Sequence, residues 1–293
     1  MRSYAAQIRP EAKTSVVAGK LLPMATLVAF HAHPDDECLL QSGSLAKAVH
    51  DGHRVVVVYA TRGDVGEAPD GLLEPGEPLV ERRMAEAMQS AEALGVHRVV
   101  WLGYRDSGMM GTADNEDPDS FWRADVEAAA TRVAGILREE SADVLTIYDE
   151  NGNYGHPDHI QVNRVGSRAA ELAGTPHVLE ATMSRAHVKA LIAQAAAAGQ
   201  HIGDAPDLDD ESVVFGVPDD AITTVVDVGD FLDRKRAAIA AHASQVQDTG
   251  LFLAMSPEAF RAAMGTEFFI RRGVPAGHHD HDVFAGVESA ASR

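Results

Sequence analysis

The sequence predicts an α/β protein: a Rossmann-like, mostly parallel sheet with helices on both faces and an embellished C-terminal part. Three observations carry this. Short β-branched runs alternate with alanine-rich helical windows over roughly the first 180 residues, the pattern of parallel strands joined by crossover helices. Polar, Gly-rich segments follow the strands, whereas the opposite connections, such as Asp51-Gly52-His53, are short and plain. With 293 residues, 45% hydrophobic and 24% charged, the chain can bury one large core.

Strands are expected at 26–30, 54–59, 98–102, 144–148 and 177–181, with helical windows at 42–50, 81–94, 121–139 and 159–172. Gly95 stands where a glycine ends the second window. Beyond residue 172 the pattern blurs into an alanine-rich helix at 189–198, an acidic loop at 202–212, a strand at 222–228 and a helix at 231–243. We divide the chain into an N-terminal arm (1–23), a single α/β domain (24–272) and a mobile tail (273–293).

Lysine and arginine number 25 against 44 acidic residues, a net charge of −19 that repels phosphate backbones and anionic lipid. Nucleic acid and membranes are therefore not expected partners; a small-molecule substrate is, and self-association stays open. The single cysteine, Cys38, excludes a disulfide framework within the chain and a multi-cysteine zinc site. No apolar run approaches the roughly 20 residues of a membrane helix, and Lys20 and Pro23 interrupt the apolar stretch of the arm, so a cytoplasmic protein is expected.

The chemistry concentrates in His31-Ala-His33-Pro34-Asp35-Asp36-Glu37, directly after the first strand. Histidines and carboxylates this close are costly to bury unless a cation sits among them. Tyr154-Gly155-His156-Pro157-Asp158-His159, after the fourth strand, supplies a second half. A catalytic zinc takes about three His and carboxylate ligands and leaves one position to water. The best three are His33, Asp36 and His159, with Asp35 free to act as base and His156 facing the substrate. The plainer explanation of Asp35-Asp36-Glu37 is an acidic helix start, and Glu37 fits it as well as a functional role.

His31 and His33 would share a face if strand geometry persisted, and could instead be the His-x-His of a metal-dependent phosphoesterase or amidohydrolase barrel. Arg62-Gly63-Asp64-Val65-Gly66-Glu67 reads as a flexible turn or as a rim of the site. Arg83 and Glu86 are one turn apart and could pair at the surface. Asp106-Ser107-Gly108 suits either a tight turn or a grip on hydroxyls. The tail cluster at 278–282 reads as solvated.

Ala32-His-Pro-Asp-Asp-Glu37 with Tyr154-Gly-His-Pro-Asp-His159 resembles the LmbE-like (PIG-L) family of zinc-dependent N-acetylglucosaminyl deacetylases, most closely its mycothiol-pathway branch, which acts on an N-acetylglucosaminyl inositol. Thr61-Arg-Gly-Asp-Val-Gly66, Arg83 with Glu86, the 102–109 segment, and Lys235 through His242-Ala-Ser-Gln245 extend the resemblance from 25 to about 270. It implies metal ligands His33, Asp36 and His159, with Asp35 as general base. It also implies His156 as electrostatic stabiliser or general acid oriented by Asp158, Tyr154 polarising the carbonyl, and Arg83 and Asp106 holding substrate hydroxyls.

The implied reaction is removal of an N-acetyl group from an amino sugar or glycoconjugate through a zinc-activated water, with ferrous iron also compatible with a His-Asp-His site. The related amidases of larger thiol conjugates typically carry proline where this chain has Gly155 and lysine where it has Leu40, which favours a deacetylase. An amidase on larger conjugates, a metal-dependent phosphoesterase and a non-catalytic binding protein are the alternatives.

Overall fold

The computed structural model describes residues 4–7, 24–197, 207–210 and 212–287. In chain order its elements are β1 (Tyr4–Gln7), β2 (Thr26–His31), α1 (Asp36–Leu40), α2 (Ser42–His50), β3 (Arg54–Tyr59), α3 (Leu79–Leu94), β4 (Arg98–Trp101), α4 (Val126–Glu139), β5 (Val144–Tyr148), the single turn α5 (Gly152–Gly155), α6 (Pro157–Ala173), β6 (His177–Thr182), α7 (Arg185–Ala197), β7 (Thr224–Asp227), α8 (Leu232–Ala241), α9 (Val246–Ala254), α10 (Pro257–Met264) and β8 (Thr266–Arg271).

The strands form one eight-stranded sheet in the order β1-β4-β3-β2-β5-β6-β8-β7. Its central block, β4-β3-β2-β5-β6, is parallel. Both margins are antiparallel: β1 on β4, and β8 between β6 and β7. Strands β4 and β5 are buried along their whole length, the mark of a sheet covered on both faces. Two helix groups cover it, α4 packed on α6, and α8 packed on α2 and α3. The sheet is open, with β1 and β7 at its edges, so the barrel alternative is overturned.

Local chemistry explains the boundaries. The expected helix at 121–139 is a 3-10 turn (Phe121–Arg123) followed by α4, whose start is capped by Asp125 accepting the Ala128 N–H at 2.8 Å. Helix α3 ends at Gly95 in the left-handed conformation, φ 80°. Strand β8 and helices α9 and α10 were not legible, because β8 alternates half-buried and buried residues at a sheet margin whose partner β6 lies far away in sequence.

Both ends depart from expectation. Within the arm, Tyr4–Gln7 pairs with β4 as an edge strand; residues 1–3 and 8–23 lie outside the described residues. Residues 280–287 of the tail make contacts with the α/β domain. The Asp280 N–H donates to the Thr223 carbonyl at 2.8 Å, Arg271 and Lys47 pair with Asp280 and Asp282, and the Phe284 ring stacks 3.9 Å from His53. Residue 198, the acidic-loop residues 202–206 and 211, and the tail residues 288–293 lie outside the described residues. Among the described residues no helix is long and apolar enough to cross a membrane.

Candidate active site

Strand order reverses between β2 and β5, since the chain runs outward through β3 and β4 on one side and through β6 on the other. At such a point the loops leaving the two central strands part and leave a crevice. A cavity of about 1230 Å³ opens there, and every sequence-predicted site residue except Asp158 lines it.

The turn after β2 is strained into shape. Asp35 takes φ 104°, a left-handed conformation rare outside glycine. It is held by three groups: the Cys38 N–H donates to the Asp35 carbonyl at 3.1 Å, the Asp35 N–H donates to Glu37 Oε2 at 3.1 Å, and Arg83 Nη2 donates to the Pro34 carbonyl at 2.7 Å. The turn aims the Asp35 carboxyl into the cavity, 3.4 Å from Arg83 Nη2. Burial pushes that carboxyl up to about 6 against the opposing pull of Arg83, with the neighbouring Asp36 adding to the rise.

Arg83 is threaded through the loop after β3. Its Nη1 donates to the Gly63 carbonyl at 2.9 Å, and a Cβ on Gly63 would lie 2.3 Å from the guanidinium carbon. The Gly63 to Gly66 segment is therefore a sleeve for this side chain, which explains its glycines better than flexibility does. Arg83 is 4% exposed and its donors go chiefly to backbone carbonyls, so it braces Asp35 and the turn while also lining the cavity. It does not pair with Glu86 at the surface: Glu86 is buried and accepts from the Ser244 N–H at 2.9 Å and the Ser244 hydroxyl.

Asp36 bridges two histidines, one oxygen 3.4 Å from His33 Nδ1 and the other 3.1 Å from His159 Nε2. Burial alone would raise its carboxyl, but the two imidazoles hold it well below the carboxylate range. On the far side of the His33 ring, Nε2 faces Asp158 at 3.1 Å and Asp106 at 3.5 Å. These carboxylates, with Asp36, outweigh burial and raise the His33 imidazole well above its ordinary value. Asp106 accepts the Gly108 N–H at 2.8 Å, and His33 together with such bonds keeps it ionised to low pH despite burial.

The donor set fits a divalent cation. His159 is fully buried; its Nε2 faces an Asp36 oxygen at 3.1 Å, while its Nδ1 has no hydrogen-bond partner among the described residues, a site that a coordinated ion beside Asp36 would complete. Ligand atoms of His33, His156 and His159 lie within 4.8 Å of one another, and Asp36 adds a carboxylate against two of these rings. The carboxylates on His33 Nε2 are the outer-shell partners that orient a ligating histidine and raise its basicity.

At the start of α6, His156 is the N-cap, its Nδ1 accepting the Asp158 N–H at 3.1 Å. Nδ1 is thus the acceptor nitrogen, and the proton of the neutral ring sits on Nε2. Burial, reinforced by the charges of His33 and His159, lowers this imidazole to about 2. The expectation that the Asp158 carboxylate orients His156 is corrected: only the Asp158 backbone touches it. The side chain, second in the helix, turns away to accept from the Ser107 N–H at 2.9 Å and from the Ser107 hydroxyl, and to face His33.

Tyr154, on α5, is 40% exposed, its ring 5.0 Å from that of His159 and 6.3 Å from that of His156. Gly155 beside it takes φ 87°, which proline, fixed near −65°, cannot adopt.

His31 is excluded from the cluster. Strand β2 ends on it, so alternation does not continue to His33; its Nδ1 lies 2.8 Å from the Tyr148 hydroxyl and its Nε2 2.9 Å from Gln41 Nε2. Burial lowers it to about 4. Glu37 lies in the first turn of α1, as an acidic helix start places it, and its Oε2 accepts the N–H of the N-cap residue Asp35, but it is buried rather than solvated. Its Oε1 accepts from Ser90 at 2.6 Å and faces His242 Nε2 at 2.8 Å. Sequence reasoning gave no role to Ser90, Tyr148 or His242, and read Ser107 as part of a turn or a grip on hydroxyls rather than as the partner of Asp158; of the first three only His242 had a signal, its place in the Lys235 to Gln245 segment.

Known proteins resemble this chain in sequence and in fold. Residues 28–170 match the family model described as GlcNAc-PI de-N-acetylase (PIG-L). A 1D-myo-inositol 2-acetamido-2-deoxy-alpha-D-glucopyranoside deacetylase of Acidothermus cellulolyticus is 39% identical over 280 residues, 90% of this chain and 95% of that protein. One of the same description from Thermomonospora curvata is 39% identical, over 84% of this chain and 90% of its own. In structure, the N,N'-diacetylchitobiose deacetylase of Pyrococcus horikoshii superposes with a TM-score of 0.52 at 21% identity, over 91% of this chain and 88% of that one, a likeness of fold. With its two motifs meeting at one crevice and its relatives matched along nearly their whole length, this chain belongs to the PIG-L de-N-acetylase family.

Proposed function

We propose that the protein hydrolyses the N-acetyl group of an amino sugar or amino-sugar glycoconjugate, in a metal-dependent reaction. The observation that carries the reading is Asp36 spanning His33 and His159, with the Asp35 carboxyl raised to about 6 beside it. His33, Asp36 and His159 would hold zinc or ferrous iron. When bound, such an ion supplies Lewis acidity at the carbonyl and acidifies a water molecule.

At neutral pH Asp35 is ionised and faces the cavity, suited to take the proton of the attacking water. His156 cannot be protonated at Nδ1 without losing the Asp158 N–H that caps α6, so it acts as a neutral donor through Nε2 toward the developing oxyanion. Tyr154, at the mouth, adds a second donor to the carbonyl oxygen. The proton for the leaving amine then falls to Asp35, which carries it after the attack. Asp158 positions His33, Asp106 stands ready for substrate hydroxyls, and Arg83 fixes the base while facing the same space.

The relatives' printed substrates, an acetamido-glucopyranosyl inositol and diacetylchitobiose, support an acetylated glucosamine as the sugar. Gly155 at φ 87° favours the deacetylase over the proline-bearing amidases. The buried, unpaired Cys38 supports a reducing compartment such as the cytoplasm. The test is an acetate-release screen of metal-reconstituted protein over N-acetylated amino sugars and thiol-conjugate amides, with model phosphate esters alongside. Acetate with the free amine is expected; phosphate release without acetate would overturn the reading.

A further inference from the structure

Tyr154 stands in a stretch of backbone that needs outside support to keep its shape. Asn153 before it takes φ 64°, a left-handed conformation that persists outside glycine only where neighbours impose it, and Gly155 after it takes φ 87°. Asn153 is held from two sides. The Asp149 carboxylate accepts its N–H at 2.9 Å, and its carbonyl accepts the Gly216 N–H at 2.6 Å. The first partner belongs to the same loop after β5; the second comes from beyond α7.

Residues 213–217 form a short bow, tied at Val213 and Val217 and free between them to lean on Tyr154. At one end the Val217 N–H donates to the Met183 carbonyl at 2.9 Å, and the Val217 carbonyl accepts the Arg185 N–H at 3.0 Å. At the other end Arg185 Nη1 donates to the Val213 carbonyl at 3.0 Å, while Nη2 donates to the carbonyls of Leu208 and Asp210, each at 2.9 Å. Between the ties Val214 lies against Gly155, its Cγ1 3.5 Å from where a Cβ there would sit, and Phe215 lines the cavity.

Arg185 opens α7, the end of a helix at which a cation is unfavourable. What its side chain meets there is three converging carbonyls, which suit the planar fork of arginine and not the point charge of lysine. We infer that Arg185 is a positioning residue for Tyr154: by fixing Val213 it holds the 213–217 bow against Asn153 and Gly155, and so sets the tyrosine ring beside His156 and His159. The inference rests on the proposed role of Tyr154 as a donor to the carbonyl oxygen.

The test joins spectroscopy to kinetics on the full chain. Incorporated 3-fluorotyrosine gives a fluorine resonance for each of the five tyrosines, and the line lost in Tyr154→Phe is that of Tyr154. In metal-free and zinc-loaded protein alike, Arg185→Met is expected to shift or broaden this line and leave the others in place. Arg185→Lys, which keeps the charge without the fork, should do the same. For acetate release from N-acetylglucosamine by the zinc-loaded protein, kcat should fall about tenfold or more in Arg185→Met with KM little changed, as expected for a group misplaced in the transition state. In a Tyr154→Phe background the same substitution should cost less than about twofold, because the group it positions is gone.

A Tyr154 line unmoved in both Arg185 variants overturns the inference. So do kcat losses of Arg185→Met and Tyr154→Phe that multiply, and an unchanged kcat in Arg185→Met where Tyr154→Phe is slow. If the line moves while Tyr154→Phe is as fast as wild type, or while wild type releases no acetate, the proposed role of Tyr154 fails and the positioning stands.

Discussion

His242 Nε2 lies 2.8 Å from Glu37 Oε1, joining the end of α8 to the turn that holds Asp35, across 205 residues of sequence. Burial alone would raise the Glu37 carboxyl, but the charge and hydrogen bond of His242, with Ser90, hold it at about 2; Glu37 in turn raises the buried His242. The other Glu37 oxygen accepts the Asp35 N–H. The C-terminal part of the chain is thereby a brace for the catalytic turn.

Glu37→Ala leaves His242 buried without its partner and is expected to cost about 3–5 kcal/mol in denaturant unfolding. The sign with pH follows from both partners. The Glu37 contribution is present above its ordinary 4.5 and lost as pH falls through about 2. The His242 contribution is present below its ordinary 6.5 and lost as pH rises through its raised value. The difference between wild type and variant is therefore greatest between those ordinary values.

Asp35→Asn is expected to stabilise the metal-free protein while abolishing acetate release. Asparagine tolerates the left-handed backbone and carries no charge to desolvate. Because the folded-state value, about 6, lies above the ordinary 3.8, ionised Asp35 burdens the fold at neutral pH and protonated Asp35 does not. The gain should reach about 2–3 kcal/mol above pH 7 and vanish below pH 4, read from melting curves at both.

His159→Ala should abolish metal retention, measured by plasma emission on dialysed protein. Chelation should lower the melting temperature of wild type, because an ion bound only by the folded state stabilises it, and leave that of His159→Ala unmoved. Metal content equal to wild type in the variant would exclude His159 as a ligand.

Gly63→Ala places a methyl group 2.3 Å from the Arg83 guanidinium carbon at a backbone φ of 66°. A loss of about 1–3 kcal/mol is expected. As Arg83 moves away, its downward pull on Asp35 weakens, so the acid limb of kcat/KM should shift to higher pH than in wild type. A limb that stays in place would mean that Arg83 does not act on the base.

The sequence by itself determined the parallel block of the sheet and the two halves of the cluster. Valine runs such as 55–58 and the segments around His33 and His159 are local signals, set by propensity and by what a strand end can carry. Tertiary structure decided what each polar residue faces. His31 went to Tyr148, Asp158 to His33 and Ser107, Glu37 to His242, and Arg83 into a sleeve of glycines. Strand β8 and the docked 280–287 segment were equally hidden. The physical reason is the same in each case: a buried polar group must find a partner, and these partners come from elements that only the packed sheet brings within 3.5 Å.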